Sequence, residues 1–555
     1  MRRRFDLLIA AAACAAMTIF MTWPQAMHMA TYVASHQDPE FSIWRLGWLA
    51  HALASDPRHL FAGNIFYPST NALTYSDAML VEGVLAAPLF WLKLPPILVY
   101  NIVLFVGIAG SGLAAFVLAR ELTGRTMPAL YAAAIFTMAP YRVEHYMHLE
   151  LQWAMWIPLT FWALHVAMRR GGREATMPGL LAGLFLWLQI ASCVYYGVFL
   201  VIAVAVYMLI AAIVSTKKVI AAMPALAIGG ALAALLTAPY LWVYMSTART
   251  MGPRDIGEIG LYSAQFWSYF ASPPQNLLWG WSVMSPELNL WLGFSVMVAA
   301  LSGALFYRSM SQRAVWAAVA VTAITLSFGL HTPVYRALIA IVPTLRGLRS
   351  PSRFAIVSCC AVATLGAFGM SAMQDLANRD RHRWARHLAP VFFALLIFEY
   401  ANTGMLLMDL SAEHPDEATV YKVMKSAGPG VAVELPMPTA GTLPGNDPDY
   451  EMWSLTHWHP IVNGYSGYYP PDYIETLARM ETFPDDESVA RLKRLDVRYV
   501  IVHCKFYVIG KDPDGRDRDE CPGLLARIGG RPELHPYGKY TDAYGAPAYL
   551  FVMNP

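Results

Sequence analysis

Charge is nearly absent from the first three-quarters of this chain. Of 555 residues 78 are charged, and 36 of those lie in the last 147, from Asp409 onward. The 408 residues before them carry 42, about one in ten, where an ordinary soluble domain has roughly a quarter. A stretch so long and so poor in charge cannot face water all round, so its apolar runs belong in a bilayer and a purely cytosolic enzyme is excluded. The last 147 residues, with 22 acidic and 14 basic side chains, have the composition of a soluble domain. A net charge of +2 leaves no basic excess for a nucleic-acid partner.

Apolar runs of roughly 17–25 residues suit a hydrocarbon core about 30 Å thick. About eleven transmembrane helices are expected, at 5–27, 97–119, 127–141, 151–168, 177–194, 196–214, 219–243, 288–307, 314–331, 354–374 and 388–408. The first reads as a retained anchor. With Arg2, Arg3 and Arg4 cytoplasmic, the inner loops hold Arg120 and Arg125, then Arg169, Arg170 and Arg173, then Lys217 and Lys218. Arg308 and Arg313 follow, then Arg379, Arg381, Arg383 and Arg386. These make 16 of the 26 basic residues before Asp409, as the positive-inside rule expects. An odd number of spans places the C-terminal domain outside. Met79–Leu94 contains Glu82 and Pro88 and would invert every later loop, so it is expected to be re-entrant or to lie on the surface. Cys14, Cys193, Cys359 and Cys360 fall in apolar segments as small apolar residues. Cys504 and Cys521 fall in the outward domain, where a disulfide is permitted but not dictated.

The ten remaining basic residues and the outer carboxylates are where chemistry is expected. After the first span the chain reads His36-Gln-Asp-Pro-Glu-Phe-Ser-Ile-Trp-Arg45, with Phe41, Trp44, Trp48 and Ala52 at helical spacing. That predicts an amphipathic helix over 40–54 lying on the membrane surface. Asp38, just before Pro39, is placed either to cap that helix or to act as a base. Glu40 and Asp77 are the neighbouring carboxylates, and Asp77 equally suits a cap for the 79–94 helix. The second outer loop, Pro140-Tyr-Arg-Val-Glu-His-Tyr-Met-His-Leu-Glu150, puts His145 and His148 on one face if helical, with Arg142 a turn earlier. Two histidines so spaced suit a metal, although hydrogen-bonded interfacial histidines are the commoner outcome. Arg346, Arg349 and Arg353, interleaved with Gly347, Ser350 and Ser352, suit phosphate oxygens or anchor the next helix. The 244–287 loop is the expected place for a substrate groove, with no single residue distinguished.

In the C-terminal domain, Val431–Leu435, Val497–Val502 and Ala548–Met553 read as strands. Asp472–Met480 and Glu487–Leu495 read as helices, which gives a small α/β domain. Between them His457, His459, Asn463 and Tyr465 lie in an aromatic, Gly- and Pro-rich loop suited to binding sugar, or to packing as a structural loop. There is no Gly-rich phosphate loop, Gly-x-Ser-x-Gly elbow or Cys-x-x-Cys pair. A nucleotide-fuelled pump does not fit.

Taken together, Asp38-Pro39 with Trp44 through Trp48, Asp56-Pro57 with Leu60-Phe61, and Ala62-Gly-Asn-Ile-Phe-Tyr-Pro68 carry a resemblance. Leu73-Thr-Tyr-Ser-Asp77, Ala139-Pro-Tyr-Arg142 with His145 and His148, and Leu348-Arg-Ser-Pro-Ser-Arg-Phe354 extend it. The chain resembles the GT-C superfamily of integral-membrane glycosyltransferases, in the broad bacterial group with a soluble C-terminal tail. The resemblance implies a polytopic α-helical domain over 1–408, with outer-face juxtamembrane helices in 28–96, and an extracytoplasmic α/β domain over 409–555. It implies an inverting hexosyl- or pentosyltransferase of the bacterial cytoplasmic membrane. The donor would be a polyprenyl-phosphate sugar and the acceptor an envelope glycan, lipid or protein, among membrane lipids. Asp38 matches the general base, with Glu40 or Asp77 in reserve. Arg142, Arg346, Arg349 and Arg353 would bind the lipid phosphate, and His145, His148, His457, His459, Asn463 and Tyr465 the substrates. No Asp-x-Asp pair is present, so a divalent metal is possible but no cofactor is expected. The rival reading is a non-catalytic translocation or assembly factor for envelope polysaccharide. It wants a polar path across several spans, yet only Glu399 is an acidic residue well inside one.

Overall fold

The computed structural model describes residues 2–378, 380–511 and 517–554. Arg379, counted above among the inner-loop basic residues, lies outside the described residues. Packing divides the chain into two units. The first comprises Met1–Met29, Asn101–Ala248 and Gly252–Leu407; the second comprises Ala30–Tyr100, Arg249–Met251 and Met408–Pro555.

The first unit is a helical bundle. Among the described residues five helices are long and apolar enough to cross a membrane: Pro96–Thr123, Gly172–Ser192, Val194–Val214, Thr216–Met251 and Pro351–Ala377. The other six expected spans are also helical, at Arg2–Met21, Thr126–Met138, Trp156–Arg170, Phe294–Phe306, Met310–Ser327 and Leu388–Glu399. Most of these are short, down to the 12 residues of Leu388–Glu399, so eleven helices are present where eleven spans were expected without each being span-length. The apolar stretch of Pro351–Ala377 is buried throughout and packs against Thr126–Met138, Phe294–Phe306 and Met310–Ser327, so it forms the axis of this bundle. Small residues allow the closest crossings. A Cβ on Gly183 would strike the carbonyl of Gly229, and one on Gly303 the carbonyl of Leu365.

The second unit has a four-stranded sheet at its centre. We label its strands β1 (Val431–Leu435), β2 (Val497–His503), β3 (Leu534–Thr541) and β4 (Pro547–Met553), and the spatial order is β1-β2-β4-β3. β1 runs parallel to β2, while β4 is antiparallel to both β2 and β3. Val433, Val500, Val502, Leu492, Leu524 and Ile528 fill the layer between sheet and helices. Cys504 and Cys521 form a disulfide with Cα atoms 5.3 Å apart. Among the described residues, β3, the helices Thr419–Ser426, Asp447–Ser454 and Cys521–Gly529, and the short strand pair Val508–Lys511 and Asp517–Asp519 lie beyond the expected strands and helices.

Ala30–Tyr100, which holds nearly all of the segment 28–96, packs with the sheet domain. Its backbone is tied there: Phe66 donates to Asn463 O at 2.9 Å, Tyr67 to Ile461 O at 3.0 Å, and Ile461 to Asn64 O at 2.7 Å. The expected surface helix is present as Asp38–Ser55, but it is buried on nearly every face rather than amphipathic. Trp458 stacks on His51 at 3.9 Å and Tyr465 meets Phe41 edge-on at 5.4 Å, so the aromatic loop covers what a membrane surface was expected to cover. The 79–94 segment forms the helix Leu80–Trp91, about 18 Å long and too short to cross a bilayer.

Candidate active site

Asp38 opens the Asp38–Ser55 helix, in its first turn, with Pro39 pre-set for a helix start. Its carboxylate does not act as the cap: Oδ1 accepts the Tyr465 hydroxyl at 2.7 Å, and Oδ2 lies 3.2 Å from His36 Nδ1. The hydrogen bond to Asp38 raises the His36 pKa against the opposing effect of burial. Asp38 thus keeps a 14 % exposed side chain while two neighbours fix its direction.

The reserve carboxylates sit differently. Glu40 is buried and clusters with Glu413 and Asp449, with ligand oxygens within 4.8 Å of one another. Burial, then the Asp449 charge, pushes the Glu40 carboxyl well up, and burial also raises Asp449. Burial pushes Glu413 up to about 7, even though Trp453 Nε1 and the Tyr544 hydroxyl donate to it, each at 3.0 Å. These three carboxyls hold protons more readily than a base should, and they border a cavity of about 350 Å³ beside Gln37, Asn446 and Tyr544. Asp77 is buried beside the helix it was expected to cap. The residue before that helix is Met79, at φ 52°, with no side-chain cap, and the Asp77 carbonyl accepts Arg45 Nη1 at 2.7 Å.

In the first unit His145 and His148 do come together, but not on one helix. The helix Pro140–Glu144 ends before His145, and His148 precedes the next turn, Leu149–Gln152. Their ring centroids are 5.9 Å apart, and Glu287 joins them, with the three sets of ligand atoms within 4.8 Å of one another. Glu287 is buried at φ 66°, left-handed backbone that is rare for a residue with a side chain. Its carboxylate accepts Arg353 Nη2 at 2.6 Å, Arg353 Nε at 3.0 Å and the Ser350 hydroxyl at 2.5 Å. Burial alone would raise it, but the Arg353 guanidinium holds it well below the usual carboxylate range. Glu144 braces the same loop: it accepts the Glu287 backbone N–H at 2.6 Å and Asn289 Nδ2 at 3.0 Å, and burial brings it up to about 7. Burial drives His145 well below its ordinary pKa, so the ring is neutral. Sequence reasoning missed Glu287, because its partner Arg353 lies 66 residues on and nothing local in Ser285-Pro-Glu-Leu-Asn289 marks it.

The four candidate arginines divide. Arg142 is buried and donates to Phe136 O at 2.5 Å and to Gln152 O and Oε1 at 3.2 Å. Arg353 is committed to Glu287. Arg349 retains a 28 % exposed side chain, 3.6 Å from Glu258, which also faces Arg254 at 3.5 Å. Arg346 has a buried Nε without a hydrogen-bond partner. Arg142 Nη2 is likewise buried without a hydrogen-bond partner, so of the four Arg353 alone is fully committed, to Glu287.

Of the loop residues in the second unit, Tyr465 reaches Asp38. Asn463 spends its amide on the chain itself, bonding the Glu434 N–H and O at 2.8 and 3.0 Å and Asp447 at 2.9 Å. His459 faces the carbonyls of Gly430 and Met424 at 3.0 and 2.8 Å. His457 accepts the His459 N–H, and burial lowers its pKa to about 3. Asn463 and His459 are occupied within the fold, while His457 Nε2 is buried without a hydrogen-bond partner.

No family model matches the sequence, and no curated protein matches it. Solved structures do match. The arabinofuranosyltransferase AftD from Mycobacteria superposes with a TM-score of 0.58 at 16% identity, covering 100% of this chain and 42% of that one. This chain thus spans about two-fifths of AftD. ArnT from Cupriavidus metallidurans matches at TM-score 0.52 and 9% identity over 100% of both chains. The oligosaccharyltransferase AglB from Archaeoglobus fulgidus, in complex with an inhibitory peptide and a dolichol-phosphate, matches at 0.50 and 13% identity. That match covers 98% of this chain and 73% of AglB.

Proposed function

We propose, for a membrane protein whose fold is that of the GT-C glycosyltransferases, that it transfers a sugar from a polyprenyl-phosphate carrier to a cell-envelope acceptor. The placement of Asp38 carries this reading. Among the three candidate carboxylates it alone combines partial exposure with two orienting partners, Tyr465 and His36. Glu40 is held toward its protonated form and Asp77 is buried.

In this proposal the acceptor hydroxyl attacks the anomeric carbon and gives its proton to Asp38 as the new C–O bond forms. The bond from that carbon to the phosphate oxygen breaks on the opposite face, so the configuration inverts. The polyprenyl phosphate leaves as an anion and needs no general acid, only charge compensation. Such compensation is what an arginine fork supplies to phosphate oxygens. The dolichol-phosphate held by AglB supports a lipid-phosphate donor in general terms. The reaction is placed at the outer face of the cytoplasmic membrane, with the C-terminal domain outside. Glu399, the acidic residue that the translocator reading would draw on, is taken up locally by the Ser295 N–H and hydroxyl at 2.5–3.1 Å.

Membranes containing the protein, incubated with a panel of polyprenyl-phosphate hexoses and pentoses, should release free polyprenyl phosphate from at least one donor. Membranes from cells lacking the protein should not. Equal release in both, or none from any donor, would overturn the assignment.

A further inference from the structure

The pair His145 and His148 is not used by the reaction above, and it meets Glu287 in a buried pocket of the first unit. His145 is the unusual member. It is fully buried, and neither Nδ1 nor Nε2 has a hydrogen-bond partner. Two orphaned ring nitrogens in a protein interior call for an occupant, because buried polar atoms are nearly always satisfied. Tyr141 packs against the ring at 4.4 Å but supplies it no hydrogen bond, since its hydroxyl pairs with Tyr196 at 3.0 Å.

We propose that His145, His148 and Glu287 bind one transition-metal ion of the zinc class. Two imidazoles and one carboxylate are a usual three-ligand set for zinc, and they leave a position open for water or another oxygen ligand. The ligand atoms lie within 4.8 Å of one another. Metal–ligand bonds of about 2.1 Å allow at most about 4.2 Å between two ligand atoms, so binding draws the two loops together by a few tenths of an ångström.

The charges around the pocket select the kind of ion. His148 Nε2 lies 3.9 Å from Glu287 Oε1, Arg353 sits 2.6 Å from the same carboxylate, and Glu144 braces the Glu287 backbone. Arg353, paired with it at 2.6 Å, offsets the carboxylate's charge. A site with so little net negative charge does not hold calcium or magnesium, which depend on several oxygen ligands. It favours ions that bond strongly to imidazole: zinc, cobalt, nickel or copper.

The test uses the full-length protein in detergent, stripped with chelator, reloaded with zinc or cobalt(II) and desalted. One metal per chain is expected by elemental analysis, together with a cobalt absorption band of imidazole-ligated type. His145→Ala and His148→Ala should each weaken binding at least tenfold, while the exposed His59→Ala leaves it unchanged. Zinc should also raise the thermal midpoint of the wild type but not of His148→Ala. If His145→Ala fails to fold, His148→Ala decides, since that side chain lies near the pocket rim, 13 % exposed. Wild-type protein that retains no metal above background overturns the proposal. So does binding that survives both substitutions.

Discussion

The Glu287–Arg353 pair offers the sharpest stability test, because both partners are buried, at 7 % and 4 % exposure. Arg353→Met leaves the buried Glu287 carboxylate with only the Ser350 hydroxyl among its bonded partners. Removing one member of a buried pair typically costs 3–5 kcal/mol, because the other charge is stranded. On size scaling, with about 2.1 cal/mol/K of unfolding entropy per residue over 555 residues, this lowers the thermal midpoint by roughly 3 to 4 °C. Glu287→Leu strands the guanidinium and should cost a similar amount. The double substitution strands neither charge, so it should recover most of the loss, and the cycle should show coupling of about 2 kcal/mol or more. The assay is tryptophan-fluorescence melting of the detergent-solubilised protein with chelator present, so that lost metal does not contribute. Single variants within 2 °C of wild type, or a double variant as unstable as the sum of the singles, would refute the pairing as the organiser of this loop.

Three further outcomes follow from the second unit. Glu40, Glu413 and Asp449 have folded pKa values raised by burial, so the folded state holds their protons more tightly. Their contribution is full below about pH 4.3 and is lost as pH rises toward 7, on the order of 3 kcal/mol for Glu413 alone. Melting of wild type should therefore weaken between pH 5 and 8, and Glu40→Gln should flatten that slope; a parallel slope in the variant would contradict it. Asn463→Ala removes three buried hydrogen bonds and should lower stability by roughly 2–4 kcal/mol while leaving KM of the folded fraction unchanged. A large rise in KM without lost stability would restore a sugar-binding role. The Cys504–Cys521 disulfide closes a loop with a sequence separation of 17, so replacing both by serine should cost about 3 kcal/mol. A maleimide gel shift should label these two thiols only after reduction, and labelling without reduction would show the bond unformed.

The helices were legible because apolar runs mark them, and every expected span proved to contain one, but their lengths were not: 388–408 was expected and the helix is Leu388–Glu399. β3 was not, since His535, Pro536, Gly538 and Lys539 break strand alternation; an edge position tolerates them, having a partner on one side only. Asp38 and Tyr465 were each noticeable alone, but nothing in the sequence joins residues 427 apart. His459 and Asn463 show the opposite failure. A polar residue in an aromatic loop looks the same whether its partner is a sugar or its own backbone, and here it is the backbone. The helix Asp38–Ser55 reads as amphipathic from the spacing of Phe41, Trp44, Trp48 and Ala52, a spacing that says nothing of where Glu40 and Arg45 go. Those two meet Asp449 and Asp77.

The central claim is that Asp38 takes the acceptor proton, and Asp38→Asn tests it most directly. Asparagine keeps the size and can still accept the Tyr465 hydroxyl, so folding and donor binding should persist. Sugar transfer from the donor identified in the panel should fall by about 10²–10⁴-fold, the range a positioned base contributes. A variant that folds, binds donor and transfers within threefold of wild type would contradict the account.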